Sequence, residues 1–159
     1  MKKTLSLTLL AIVLVASLGL VPVAFADDTS ADINAKGIGK LVANGDGIAV
    51  LYGKGTMELS GNGTLVIKDN AGDAKIEVTG YGVKKEFPDG WIQYSGMHGT
   101  ASVKGTSIRV VISGVDINLT AKGRGGAILW GHGTYDINGK TSQWGANTFS
   151  KPLTIAPAE

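Results

Sequence analysis

Residues 41–63 read LVANGDGIAVLYGKGTMELSGNG. Within it a Gly-x-Gly pair recurs every eight residues, starting at Gly45, Gly53 and Gly61. Because alternate residues of a β-strand point to opposite faces, an even period places all of these glycines on one face. The other positions of that face are apolar: Leu41, Ala43, Ala49, Leu51, Met57, Leu59, Leu65 and Ile67. The stretch therefore predicts long strands with one apolar face that glycine pairs interrupt.

The chain contains an internal repeat of this unit. Residues 41–61 align with residues 119–139 at a constant offset of 78. Identities fall mainly on the apolar face, whereas outward positions change, for example from Asn44 to Lys122. We interpret the two segments as copies of one bent-strand unit that pack in a single domain.

The glycine pairs need a structural reason, because glycine weakens a strand. A sharply coiled strand has no room for a Cβ atom on its concave side. We therefore predict an all-β fold: a small antiparallel barrel or a strongly coiled sandwich with long strands bent at Gly-x-Gly pairs. Two hairpins favour this prediction, with turns expected at 69–73 and 104–106. The alternative is a β-solenoid, in which each octad is half a coil.

The N-terminus has the pattern of a secretory signal peptide over residues 1–26. Lys2 and Lys3 precede an apolar run, which ends in the small-x-small sequence Ala24-Phe25-Ala26. We expect cleavage there and a secreted protein, either extracellular or in the periplasm or cell envelope. An uncleaved membrane anchor is the alternative, since the apolar run is long enough to span a bilayer.

The remaining chain is predicted to form one domain. Residues 27–35 are interpreted as a linker, residues 36–150 as the glycine-rich β domain, and residues 151–159 as a tail or edge strand. The chain has no cysteine, which excludes disulfides and thiolate metal sites. Loss of Lys2 and Lys3 with the signal would leave 13 basic and 13 acidic residues. Because nucleic-acid binding requires a basic surface, no nucleic-acid partner is predicted.

Catalytic and cofactor motifs are absent from the sequence. The Gly-x-Gly pairs lack the third glycine of the dinucleotide fingerprint, and no Gly-x-Ser-x-Gly elbow occurs. His98 and His132 have no second metal ligand at a telling spacing. The carboxylates that hydrolysis could use are interpreted as solvated: Glu58, Glu86, Asp89 and Asp136. We predict a protein that is not an enzyme, with no cofactor and no metal.

Aromatic residues provide the candidate binding surface. Tyr52 and Trp130 are repeat equivalents on the outward face, and Phe87, Trp91 and Tyr94 lie in an irregular stretch around the predicted turn Pro88-Asp89-Gly90. Exposed aromatic side chains anchor interfaces and stack on flat ligands.

Asn62 and Asn118 begin N-glycosylation sequons, Asn62-Gly-Thr64 and Asn118-Leu-Thr120. They are therefore possible modification sites.

These observations predict a secreted, non-catalytic β module for binding or assembly at the cell envelope or exterior, with a glycan or protein partner. One alternative is a small barrel that binds an apolar ligand. A hydrolase acting on envelope polymers is another. Contact with the membrane is expected only through an uncleaved signal.

The first prediction concerns the signal peptide. The exported protein should begin at Asp27, as measured by intact mass. Ala26→Tyr should abolish processing because the cleavage site requires a small residue there, whereas Phe25→Leu, at the variable position, should leave it unchanged. An exported wild-type protein that retains residues 1–26 would establish the membrane anchor instead.

Overall fold

A computed structural model describes residues 38–145 and 152–157 of the chain. The predicted signal peptide and linker lie outside these residues, as do residues 151, 158 and 159 of the predicted tail. The described residues form six strands and no helix: β1 (Gly39–Asp69), β2 (Lys75–Val78), β3 (Val83–Glu86), β4 (Trp91–Ile137), β5 (Lys140–Gln143) and β6 (Leu153–Ile155).

Two long antiparallel strands, β1 and β4, wind around each other. Leu41 pairs with Ala121 on one side and with Ile137 on the other. Ala121 also pairs with Met57, which in turn pairs with Val103. Ala121 therefore lies between two residues of β1 that are 16 positions apart. It follows that β1 returns to the same segment of β4 once every 16 residues, so that the two strands form a common coil.

The eight-residue spacing of the glycine pairs corresponds to half a turn of this coil. Each turn has two corners, and the straight segments between corners form two facing layers of one continuous sheet. The first layer contains residues 39–45, 55–61, 99–105, 117–123 and 133–137, with β2 and β5 at its edges. The second layer contains residues 47–53, 63–69, 91–97, 108–114 and 125–131, with β3 and β6 at its edges.

The core lies between the two layers and contains the side chains that the sequence predicts. All eight apolar inward residues of β1 are buried, with exposures of 0–4%. Strand β4 contributes Val103, Ile108 and Ile117 to the core. Two of these residues have odd numbers and one has an even number, so a single alternation does not describe the inward face of β4. The parity changes because β4 has three β-bulges, near Gly96, Thr106 and Asp116, where it advances one residue more than β1.

The corners place glycine opposite glycine. Gly53 pairs with Gly125, and Gly55 pairs with Gly123. A Cβ atom built at Gly53 would collide with the backbone carbonyl oxygen of Arg124 on the paired strand. Gly53 also has φ of +137°, a region that is essentially limited to glycine. The sheet bends so tightly that the neighbouring backbone occupies the space a side chain would need.

The pairing of the two repeat segments is symmetric. Residues 41–59 pair with residues 119–137, and these are segments that the offset of 78 aligns. Val50 pairs with Ile128, which is its own equivalent under that offset. An approximate twofold axis of the pairing therefore passes between Val50 and Ile128. This symmetry explains why the glycines of one segment face the glycines of the other.

The structure confirms an all-β antiparallel fold with long strands bent at the glycine pairs and corrects its details. The sheet does not close into a barrel. The pairing also does not show a solenoid, because the neighbours of β1 on both sides are antiparallel segments of β4 and never its own next turn.

Both hairpins expected from the sequence are wrong. Residues 100–112 form one continuous part of β4 that pairs with β1 throughout, and β2 pairs with β4 instead of β1. The segment Lys104-Gly105-Thr106 forms a bulge that contains one extra residue. In sequence, this short glycine-containing segment resembles a turn.

A glycine corner should tolerate no side chain. Gly53→Ala is expected to lower the free energy of unfolding by about 3 kcal/mol or more, because the methyl group meets backbone and φ is unfavourable. Gly82→Ala is the matched control, since its nearest neighbour would be the Ser95 carbonyl oxygen at 3.4 Å. Urea unfolding measures both variants, and equal stabilities for the two would contradict the corner geometry.

Candidate functional site

The structure brings Phe87, Trp91 and Tyr52 into one row across the second layer. Trp91 pairs with Lys68, Lys68 pairs with Arg109, and Arg109 pairs with Tyr52. At the end of the row, the backbone N–H of Phe87 donates to the Trp91 carbonyl oxygen at 2.8 Å. We call these five residues the aromatic row. Aromatic and cationic side chains that are far apart in the sequence thus become neighbours on one surface.

The turn at the end of this row is the one that the sequence predicts. The Gly90 N–H donates to the Phe87 carbonyl oxygen at 3.0 Å, and Gly90 has φ of +86°. This turn joins β3 to β4 and aligns the two strands as a hairpin. The register of that hairpin places Phe87 beside Trp91.

The phenol ring of Tyr52 covers Gly126 on the neighbouring strand. A Cβ atom built at Gly126 would lie 2.5 Å from Cζ of Tyr52, so that only glycine leaves room for this ring position. Trp130 lies on the same outward surface, opposite Ile48, and is 47% exposed. We call the outward side of the second layer, with the aromatic row and Trp130, the aromatic face.

A row of partly buried β-branched side chains separates Trp130 from the aromatic row. Val66 pairs with Val111, Val111 with Val50, and Val50 with Ile128. Such residues pack well across neighbouring strands. The larger aromatic side chains therefore project from a surface of well-packed β-branched residues.

Tyr94 does not belong to this surface, and the prediction for this residue is wrong. Its side chain points inward opposite Leu65 and is only 5% exposed. The Tyr81 ring packs against it edge to face, with 5.0 Å between ring centroids, and burial raises the pKa of the Tyr94 phenol. The physical reason is the bulge at Gly96, which reverses the alternation on its N-terminal side.

Cations accompany the aromatic rings. Lys68 Nζ lies 5.5 Å from the centroid of the Trp91 ring, and Lys85 Nζ lies 4.7 Å from that of Phe87. These distances are typical of cation–π contacts. None of the described outward positions of the second layer carries a carboxylate. The aromatic face is therefore suited to a ligand with flat or apolar groups and negative charge.

One rim of the coil, formed by the corners at 45–47, 61–63, 97–99, 114–117 and 131–133, carries a hydrogen-bond network, and we call it the amide rim. His98 Nδ1 lies 2.8 Å from Asn62 Oδ1, and Asn62 Nδ2 donates to Asp116 Oδ2 at 2.9 Å. The Asp116 N–H in turn donates to Asp46 Oδ1 at 2.7 Å. The polar groups of this rim largely satisfy one another.

Both sequon asparagines take part in this network. Asn62 Nδ2 donates to Asp116, as described above, and Asn118 Nδ2 donates to the Asp116 carbonyl oxygen at 3.0 Å. Asn118 Oδ1 also accepts a hydrogen bond from Asn44 Nδ2 at 2.6 Å. Glycosylation would attach the glycan to these same amide nitrogens and would leave each of them one N–H to donate.

Glu58 and Asp136, two of the candidate hydrolytic carboxylates, are not brought together. Glu58 and Asp136 are separated by Thr120 and Val42, three strand spacings or about 14 Å between backbones. This spacing exceeds the separation of the two carboxylates in glycosidases. Asp136 instead accepts a hydrogen bond from the Gly139 N–H at 2.8 Å, in a turn. Within residues 38–145 and 152–157, no three His, Asp or Glu side chains could hold a metal ion.

No protein-family model matches the chain, and no curated protein or solved structure matches it either. The described part of the chain contains no helix long and apolar enough to cross a membrane.

The loop between β1 and β2 holds two aspartates in structural roles. Asp69 accepts hydrogen bonds from the backbone N–H groups of Ala71, Gly72 and Ala74 at 2.7–3.0 Å. Asp73 accepts from the Thr106 N–H at 3.0 Å and from its hydroxyl at 2.7 Å. These bonds tie the loop to the bulge of β4 and lower the pKa of the Asp73 carboxyl, chiefly through the Thr106 N–H and then through its hydroxyl.

Thr106→Val should raise the pKa of Asp73 part of the way to its ordinary value of 3.8. Only the hydroxyl bond is lost, whereas Thr106→Ser retains both bonds and should keep the pKa low. Because the folded-state pKa is depressed, the stabilisation is present above the ordinary value and is lost as pH falls through the folded-state pKa. Carboxyl ¹³C NMR titration measures this, and an unchanged pKa in Thr106→Val would contradict the assignment.

Proposed function

We propose that this protein is a secreted, non-catalytic β module that binds a glycan at the cell envelope or exterior through its aromatic face. The observation that supports the proposal is the convergence of Phe87, Trp91, Tyr52 and Trp130 on one outer surface of the sheet. The secreted location rests on the signal pattern of residues 1–26.

The spacing of the rings favours an extended ligand. Trp91 and Tyr52 are three strand spacings apart in the aromatic row, or about 14 Å. Two rings at this distance can both contact a chain of sugar units but cannot both contact one small ring. Aromatic residues provide large contact areas with little conformational entropy to lose, which suits them to this role.

The coiled sheet fixes these rings in place before any ligand arrives. Tyr52 lies over Gly126, and Trp91 contacts Lys68. Preorganised side chains lose less entropy on binding than mobile ones. The surface is thus suited to direct binding without rearrangement of the strands.

The apolar-ligand alternative receives less support. Its cavity would depend on the space that inward glycines leave open. At the corners this space is occupied, because a Cβ atom at Gly47 or Gly55 would meet the carbonyl oxygen of the paired strand. The inward apolar side chains of both layers form one buried cluster.

Substitution of aromatic residues in the aromatic row should weaken glycan binding without unfolding the protein. We expect Trp91→Ala and Tyr52→Ala each to reduce affinity for the bound envelope glycan by at least about fivefold, the usual effect of removing an aromatic anchor. Val115→Ala is the matched control, since Val115 is a 50% exposed apolar residue away from the aromatic face. A glycan array followed by titration calorimetry provides the measurement.

Gly126→Ile tests the position of the Tyr52 ring separately. The side chain that Ile48 carries at the equivalent position of the repeat would displace the ring from the strand. This variant should lose affinity as Tyr52→Ala does. If the aromatic variants and Gly126→Ile fold normally and bind every envelope glycan as the wild type does, the proposed site is wrong.

A further inference from the structure

The rim opposite the amide rim is formed by the corners at 53–55, 105–108 and 123–125, and we call it the basic rim. Cations lie directly opposite cations on neighbouring strands around these corners. The pairs are Lys40 with Lys122, Lys54 with Arg124, Lys68 with Arg109, and Lys75 with Lys104. Although the charges of the chain nearly balance overall, these cations are concentrated around one rim.

This arrangement opposes folding. Like charges directly opposite each other in an antiparallel pair are destabilising. Lys54, Lys75 and Lys104 are exposed and form no ion pair with a described residue. Asp69 and Asp73, in the loop beside this rim, already accept hydrogen bonds from backbone N–H groups and from Thr106. These two carboxylates are therefore engaged in structural hydrogen bonds, whereas Glu58 and Glu77 lie on the next outward row of the first layer.

The amide rim shows that the fold does not require these cations. Under the offset of 78, Lys122 corresponds to Asn44, and Arg124 corresponds to Asp46. The paired residues follow the same rule, since Asn118 corresponds to Lys40 and His132 to Lys54. Equivalent backbone positions therefore carry amides and acids at one rim and cations at the other. A residue set that costs stability and is not required by the backbone points to a ligand.

We propose that the basic rim binds a polyanionic glycan, a polysaccharide that carries carboxylate or phosphate groups. This inference rests on the proposed function and specifies the charge of its ligand. Lys75, Lys104, Lys122 and Lys40, with Thr56 between the second and third, form a row across five strands of the first layer, about 19 Å long. Cations aligned in one row match a linear chain of anionic groups.

The row continues around the corner to the aromatic face. Lys54 and Arg124 lie at the corner, and Arg109 and Lys68 lead to Trp91 on the second layer. Cations on both layers and on the rim between them cannot all contact a flat lipid surface together, whereas a flexible polymer can follow the bend. Stacking on Trp91 and Tyr52 would add contacts to the sugar rings. The predicted export of the chain favours a polysaccharide over a nucleic acid.

The amide rim supplies the variants that test this proposal. Lys122→Asn and Arg124→Asp, alone and together, place the amide-rim residues at the equivalent positions of the basic rim. Lys84→Asn is the control, because Lys84 lies on the edge strand β3 away from the basic rim and pairs with Glu86 at 2.6 Å. The probes are polygalacturonate for carboxylates, poly(glycerol phosphate) for phosphates, and neutral dextran.

We expect the wild type to bind at least one acidic polymer with an affinity that falls as salt rises, and to bind dextran at least tenfold more weakly. The double variant should lose at least about tenfold in affinity. Each lost contact should lower the slope of log affinity against log salt by about one, as in other polyanion complexes. Lys84→Asn should bind as the wild type does. Urea unfolding should find the rim variants at least as stable as the wild type, because repulsion is removed.

The outcomes separate the two proposals. If Trp91→Ala weakens glycan binding and the rim variants do not, the aromatic face is the binding site and the basic-rim proposal is overturned. If the rim variants weaken binding and the aromatic variants do not, the basic rim is supported and the aromatic assignment falls. Equal affinity for dextran, or binding only to single-stranded poly(dT) or to phosphatidylglycerol vesicles, would overturn the polyanionic-glycan assignment.

Discussion

The contact between two glycine backbones at each corner is the constraint on which the structure depends. Both strands must bend at the same place, and each would otherwise direct a Cβ atom into the other. The glycine spacing of β1 must therefore stay in phase with that of β4 along the entire coil. Where β4 has a single glycine at a corner, as at Gly105 and Gly114, a bulge supplies an extra residue and retains the phase. Paired glycines and bulges are thus two solutions to the same steric problem.

Much of the fold follows from the spacing of residue types along the chain. The period of eight and the alternation of two were sufficient to predict the buried face of β1 and the glycine bends. They could not predict strand partners, because a strand that pairs with residues 20 positions away has the same local pattern as one that pairs with residues 80 positions away. They also could not predict bulges, since a bulge such as that at Thr106 resembles a turn in sequence. Tyr94 was misplaced for the same reason, because the bulge at Gly96 reverses its face.

The candidate site was predictable only in part. The outward register of Tyr52 and Trp130 followed from the repeat, but their shared surface with Phe87 and Trp91 depended on long-range pairing. The basic rim was missed because a net charge averages over the molecule. Its signal was present in the repeat alignment, where Asn44 becomes Lys122 and Asp46 becomes Arg124. The strand pairing shows a pattern in these changes. The inward residues of the two repeat segments maintain the same backbone structure, and the outward residues give the two rims different chemistry.

The intertwining of β1 with β4 also constrains the route by which the chain folds. Lys68 and Trp91 are close in sequence, whereas Gly39 and Gly123 are separated by most of the domain. Loop-closure entropy favours initial pairing near the β1–β4 connection, with later pairs forming progressively towards both ends. Because each turn of β1 must be enclosed by β4 on both sides, this assembly has a high contact order and is intrinsically slow. Partly wound intermediates expose unpaired strand edges, and such edges are prone to aggregation until the winding is complete.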